Sequence, residues 1–178
     1  ISTETISLSV KFSNKILLIS SIIFFHSLPF MIDRKFLKDL IYCKKWNYFL
    51  AIILLIINVI FFNYSINYTG GGIFFQVSNF IFDNNIFFYL VTFFSLLVLI
   101  YFSFENLNNF LIFIILIISN IQNTIYHKYY DPLVLILFFT LLNTSLNFKF
   151  FKNKTNIIYV FGFYIVFILI RIVKNYFY

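Results

Sequence analysis

Acidic residues are in short supply in this chain. Six Asp and Glu face thirteen Lys and Arg, and only 11% of the 178 residues carry charge. A soluble domain uses about 25% charged residues, so the chain lacks material for a water-facing coat. Cysteine is almost absent as well. Cys43 stands alone, which excludes an internal disulfide and any cysteine-based metal cluster. The two histidines, His26 and His127, fall in different segments, so spacing offers no metal set, and no cofactor motif is present. Glycine (4) and proline (2) are rare, which leaves few breakers to interrupt long helices.

What is abundant is apolar: 62% of residues are hydrophobic and 24% aromatic. They gather in six runs, 15–32, 49–66, 86–104, 110–125, 132–148 and 157–173. Most approach the roughly 17–25 residues that cross a bilayer as a helix. None alternates polar with apolar as a membrane barrel strand does. The expected fold is all-α, a multi-pass transmembrane helical bundle of about six spans forming one domain over residues 1–178. The fourth run is the weakest, because its continuous apolar core covers only 110–118. Phe, Ile, Asn, Lys and Tyr dominate and have AT-rich codons, which points to an AT-biased genome. Short Asn-containing motifs therefore carry little weight, and the Asn-X-Ser/Thr sequons at Asn63, Asn67, Asn143 and Asn153 are read as chance matches.

Charge in the connections sets an orientation. Connection 33–48 carries Arg34, Lys35, Lys38, Lys44 and Lys45, and connection 149–156 carries Lys149, Lys152 and Lys154. Connections 67–85 and 105–109 carry no Lys or Arg, and 126–131 carries Lys128 alone. By the positive-inside rule, 33–48 and 149–156 face the cytoplasm, and 67–85 and 126–131 face the exterior, of what is expected to be a bacterial cytoplasmic membrane. Six spans then begin and end outside. With no Met before Ile1, the expectation is a fragment that an odd number of spans precedes. A rival makes residues 1–32 a signal peptide or anchor with Lys11 and Lys15 as its basic region, but no small-residue cleavage site follows.

Within 33–48, Phe36, Leu37, Leu40, Ile41 and Trp46 alternate with Arg34, Lys35, Lys38, Lys44 and Lys45 at near-helical spacing. Such a segment can lie at the interface, apolar face in lipid and Lys toward head groups; the plainer reading is a topology-setting basic loop. The lipid bilayer is the expected partner. Nucleic acid is not, since no soluble patch presents the net charge of +7.

Chemistry is sparse. The mid-span polar residues are Asn58, Ser95, Asn143 and Thr144; Asn58 and Asn143 can hydrogen-bond between helices, and packing glue is the plainer role. No Asp, Glu or His is expected near a bilayer centre, which counts against a proton- or sodium-coupled transporter. Cys43 sits beside Lys44 and Lys45, a setting that lowers a thiol pKa, although a chance cysteine is the plainer reading. Gly70-Gly71-Gly72 precedes Ile73, Phe74, Val77, Phe80 and Ile81, so a short helix entered by a glycine turn is expected there. The densest cluster is Tyr126-His127-Lys128-Tyr129-Tyr130-Asp131-Pro132. Asp131 and Pro132 read as the cap and first turn of the next span. Tyr126, His127, Lys128 and Tyr129 are the candidate contacts for a lipid phosphate, with Lys128 as the point charge.

Lys128-Tyr129 shortly before Pro132 resembles the connection in the C-terminal membrane half of polyprenyl-phosphate-sugar-dependent glycosyltransferases with the multi-span C-type fold. The similarity covers about seven residues and the hydropathy layout. Lys replaces the family's more usual Arg, Asp131 intervenes, and nothing matches the family's acidic catalytic loop. The resemblance implies transfer of a sugar from a polyprenyl-phosphate donor at the outer face, with Lys128 and His127 on the donor phosphate and no catalytic residue in this chain. The alternative is a non-catalytic protein: a transporter or flippase piece, or a subunit of a membrane complex.

Overall fold

A computed structural model of the protein describes residues 3–32, 34–65, 70–119, 125–142 and 154–177. The described residues form helices and connections, with no strand among them. Helix α1 spans Thr3–Ser27 and passes into a 3-10 turn, Leu28–Ile32. It is followed by α2 (Arg34–Ile41), α3 (Lys45–Ile60), α4 (Gly72–Phe82) and α5 (Ile86–Glu105). Then come α6 (Leu107–Ile118), α7 (His127–Thr140) and α8 (Lys154–Phe177). The all-α class expected from the apolar runs is the class observed.

The count of about six full spans does not carry over. Two apolar stretches, Leu8–Met31 and Ile86–Glu105, are long and apolar enough to cross a membrane. The apolar helices Lys45–Ile60, Gly72–Phe82, Leu107–Ile118 and Thr155–Ile170 are shorter. The reason is physical in each run. Helix α6 has 12 residues, about 18 Å at 1.5 Å per residue, well short of a hydrocarbon core of about 30 Å. In the run 49–66 the helix stops at Ile60, and the chain is then pinned to α1. The Asn63 amide donates to Asn14 Oδ1 at 3.0 Å, and Asn14 Nδ2 donates to the Asn63 carbonyl at 3.1 Å. In the run 132–148 the helix ends at Thr140, and Asn143 and Thr144 lie outside the described residues.

Helix α1 is the axis of the core. Leu17, Leu18, Ile19, Ile22 and Ile23 are buried, and α1 packs against α3, α4, α5, α6 and α7. The Asn14–Asn63 pair ties the chain just beyond α3 to α1. At the other end, Phe36 of α2 stacks on Phe102 of α5, with centroids 5.7 Å apart, and meets Tyr101 edge-on at 5.9 Å. So α2 forms the amphipathic helix expected of the basic connection, but its buried Phe36 and Leu40 pack on protein instead of lipid. Lys38, Lys44, Lys45 and Trp46 are exposed. Arg34 and Lys35 open α2, and their side chains lie outside the described ones.

The segment between α3 and α4 turns inward. Gly71 (φ 97°) and Gly72 (φ 78°) adopt left-handed backbone that other residues avoid. The Gly71 amide donates to the Ile125 carbonyl at 2.7 Å, and the Ile125 amide donates to Tyr64 Oη at 3.2 Å. A Cβ on Gly72 would lie 3.1 Å from Ile22 Cγ1, so the start of α4 sits beside the middle of the apolar stretch of α1. The glycine turn and short helix expected at this point are both present. Residues 66–69 lie outside the described residues.

Candidate functional site: a buried Tyr-His-Asp triad

An imidazole inside an apolar helix cannot be hydrated, so it must find protein partners. His26 is in the last turn of α1 and its side chain is 1% exposed. Phe25 packs edge-on against it at 5.4 Å, and Phe25 itself is held by Phe163 and Phe167 of α8. His26 Nε2 lies 3.1 Å from Asp131 Oδ1 of α7, and Nδ1 lies 3.0 Å from Tyr164 Oη of α8. The Tyr164 ring stacks on the imidazole at 5.9 Å and 24°. Three segments, 105 and 138 residues apart in sequence from His26, thus meet at one ring.

The chemistry of the partners orders the protons. A carboxylate only accepts, so with Asp131 ionised it is Nε2 that carries a proton and donates it. The neutral ring then presents Nδ1 as acceptor to the Tyr164 hydroxyl. If the ring gains a proton, both nitrogens donate, and Asp131 balances the charge. The arrangement can therefore pass a proton across the ring by exchanging which nitrogen is protonated. Asp131 keeps 19% of its side chain exposed, against 1% for His26.

The structure relocates the residues singled out from sequence. Helix α7 begins at His127, with Tyr126 as its N-cap in extended backbone and no side-chain cap. Asp131 and Pro132 therefore lie inside the helix and not at its start, and the Asp131 carboxylate is engaged by His26. Pro132 has no N–H to offer the Lys128 carbonyl one turn back. His127, Lys128 and Tyr129 occupy the first turn of α7, and their side chains lie outside the described ones. The location of 126–131 also changes. Asp131 is tied to the end of α1 that leads to the basic connection, whereas alternation of six full spans put it at the opposite end.

His26, in the last turn of α1, is a buried ionisable side chain within the apolar run 15–32, and Asp131 meets it from just before the run 132–148. His26 had one sequence signal, a histidine within an apolar run; Tyr164 had none. Two of the mid-span polar residues, Asn58 and Ser95, are satisfied locally. Asn58 Nδ2 donates to the Leu54 carbonyl at 2.7 Å and Ser95 Oγ to the Val91 carbonyl at 2.8 Å, bonds within their own helices and not between helices. Cys43 is also reversed. Burial pushes its thiol pKa up, partly offset by hydrogen bonds with Asn47 and Tyr48, while the neighbouring Lys44 and Lys45 are exposed. Among the described residues, no group of three or more His, Cys, Asp or Glu could hold a metal ion. No family model, curated protein or solved structure matches the chain, so the chemistry of the triad rests on its own residues.

Proposed function

We propose that the chain is the core of a multi-pass membrane protein that moves protons through the His26 relay as part of a coupled transport cycle. The observation that carries this reading is the sealed His26 ring held between Tyr164 and Asp131. An ionisable group inside an apolar segment is expensive, and it is typically kept for an ion or proton pathway. The inward turn at Gly71–Gly72 supports the same class. It makes α4 a half-helix that starts beside mid-α1, and its irregular backbone is enclosed by buried Tyr64, Phe75 and Ile125. Irregular backbone at membrane depth is tolerated only inside protein, and discontinuous helices of this kind line transport sites. Leu8–Met31 and Ile86–Glu105 cross the bilayer in this reading, with the basic connection 33–48 at the cytoplasmic face.

Reconstitution of the full chain in liposomes containing a trapped pH dye tests the reading. Under an imposed membrane potential, the wild type acidifies the lumen several-fold faster than His26→Gln or Asp131→Asn. Equal rates for wild type and both variants, or a wild-type rate no faster than that of empty liposomes, reject it.

A second reading is favoured by the start of α7. Its first turn holds His127 and Lys128, and Tyr126 at the N-cap gives the helix no side-chain cap bond. An uncapped helix N-terminus with a lysine in its first turn suits a phosphate. We infer from this a polyprenyl-phosphate contact at Lys128, on the face that carries the basic connection and not on the outer face that the glycosyltransferase resemblance implies. Lys128→Ala should then raise the donor-lipid requirement for sugar transfer; unchanged kinetics remove the role.

A further inference from the structure

The helix α4 carries a polar stripe that the triad does not use. Gln76, Asn79 and Asp83 recur at one helical face, and with Phe75 and Phe80 they line a cavity of about 320 Å³. That volume is at the lower end of small-molecule pockets, about 300–1,000 Å³. The hydrogen bonds of the stripe fix its polarity. Gln76 Nε2 donates to the Gly70 carbonyl at 2.7 Å, and Asn79 Nδ2 donates to the Phe75 carbonyl at 2.9 Å. A carbonyl only accepts, so the amide nitrogens must be the atoms turned to the backbone, and the amide oxygens are left as acceptors. Asp83 adds a carboxylate and makes no ion pair among the described residues. It stands at the C-terminal end of α4, where the helix dipole is negative. No Lys or Arg occurs anywhere from Trp46 to His127, although the chain as a whole carries +7.

We propose that this cavity binds a small molecule carrying a protonated amine. Asp83 is the counter-ion, the amide oxygens of Gln76 and Asn79 accept its N–H groups, and the exposed ring of Phe80 offers an aromatic face to the cation. A bare divalent ion fits less well, because calcium takes about 6–8 oxygen ligands and the stripe offers one carboxylate and two amides. An alkylammonium uses all three parts, since its charge also favours an aromatic face. The backbone around Asp83 is fixed by its turn. Asp83 takes φ 53°, Ser78 Oγ donates to the Asn84 carbonyl at 2.6 Å, and the Phe88 amide donates to Ser78 Oγ at 3.1 Å. These residues are distinct from the triad, so failure of this inference leaves the proton relay untouched.

The test uses the full chain in detergent micelles, with n-butylammonium chloride as probe and 1-butanol as neutral control, read by saturation-transfer NMR and calorimetry. Asp83→Asn is the informative variant, because asparagine tolerates the left-handed backbone. It should weaken n-butylammonium binding at least tenfold with unchanged far-UV circular dichroism. Phe80→Ala, at a side chain 79% exposed, should weaken it several-fold without loss of fold. Equal wild-type affinity for n-butylammonium and 1-butanol, equal binding by Asp83→Asn, or displacement by an equal concentration of sodium chloride overturns the proposal.

Discussion

Coupling between His26 and Asp131 can be measured as a stability cycle. Asp131→Leu leaves the His26 Nε2–H in a site 1% exposed with no acceptor at 3.1 Å, and an orphaned buried donor costs about 1–3 kcal/mol. Asp131→Asn keeps an acceptor oxygen. It gives up only the difference between a charge-assisted and a neutral hydrogen bond, roughly 1 kcal/mol. His26→Leu fills part of the space but leaves the Tyr164 hydroxyl without its 3.0 Å partner, again costing about 1–3 kcal/mol. The double variant, His26→Leu with Asp131→Leu, removes both members and so costs less than the sum. Interhelical polar bonds in membranes average about 0.6 kcal/mol and reach about 1.7, because the unfolded chain finds other partners there. The burial of His26 puts this pair toward the upper end, so a coupling energy of about 1–2 kcal/mol is expected. The assay is SDS titration in mixed micelles followed by far-UV circular dichroism, on all four chains of the cycle. A coupling energy below about 0.5 kcal/mol, the usual error of additivity, would falsify the pairing.

Other perturbations separate the glycine turn, the cysteine and the basic connection. Gly71→Ala forces a φ of 97° on a side chain whose Cβ would lie 2.5 Å from Phe75 Cδ1, and should lose roughly 1–3 kcal/mol in the same titration. Gly162→Ala on α8 meets nothing within 4 Å and should gain up to about 1 kcal/mol from helix propensity; the reverse order of the two glycines would contradict the described backbone. The raised thiol pKa of Cys43 means less thiolate at neutral pH. Maleimide labelling at pH 7 should therefore be slower than for a free cysteine and climb only at alkaline pH, and a rate above the free thiol would reverse the assignment. Trp46 is exposed beside Phe49 at 5.3 Å and should be quenched by lipids brominated near the head group more than by those brominated near the chain end. Preferential quenching by deep labels would remove it from the interface.

Helical class was legible because apolar runs without breakers can satisfy their backbone in one way only. The glycine turn at 71–72 was legible because few residues accept positive φ. The basic connection announced itself by charge, and its helix α2 followed from spacing. Helix ends were not legible. The helix in the run 49–66 ends at Ile60, and Asn63 beyond it bonds to Asn14, 49 residues away; α7 begins at His127 although Asp131-Pro132 looks like a start. The triad was hidden for the same reason. His26 could be seen as a histidine in an apolar run, but its meaning depends on Asp131 and Tyr164, which no spacing rule connects to it.

The sequence by itself determined the helical class. Long apolar runs with few breakers and no alternation close their backbone hydrogen bonds as helices. Tertiary structure decided which of those runs extend as full-length helices, that the chain turns inward at Gly71, and that a lone histidine faces a carboxylate and a phenol. Those outcomes depend on contacts between segments up to 138 residues apart, where neither composition nor periodicity carries information.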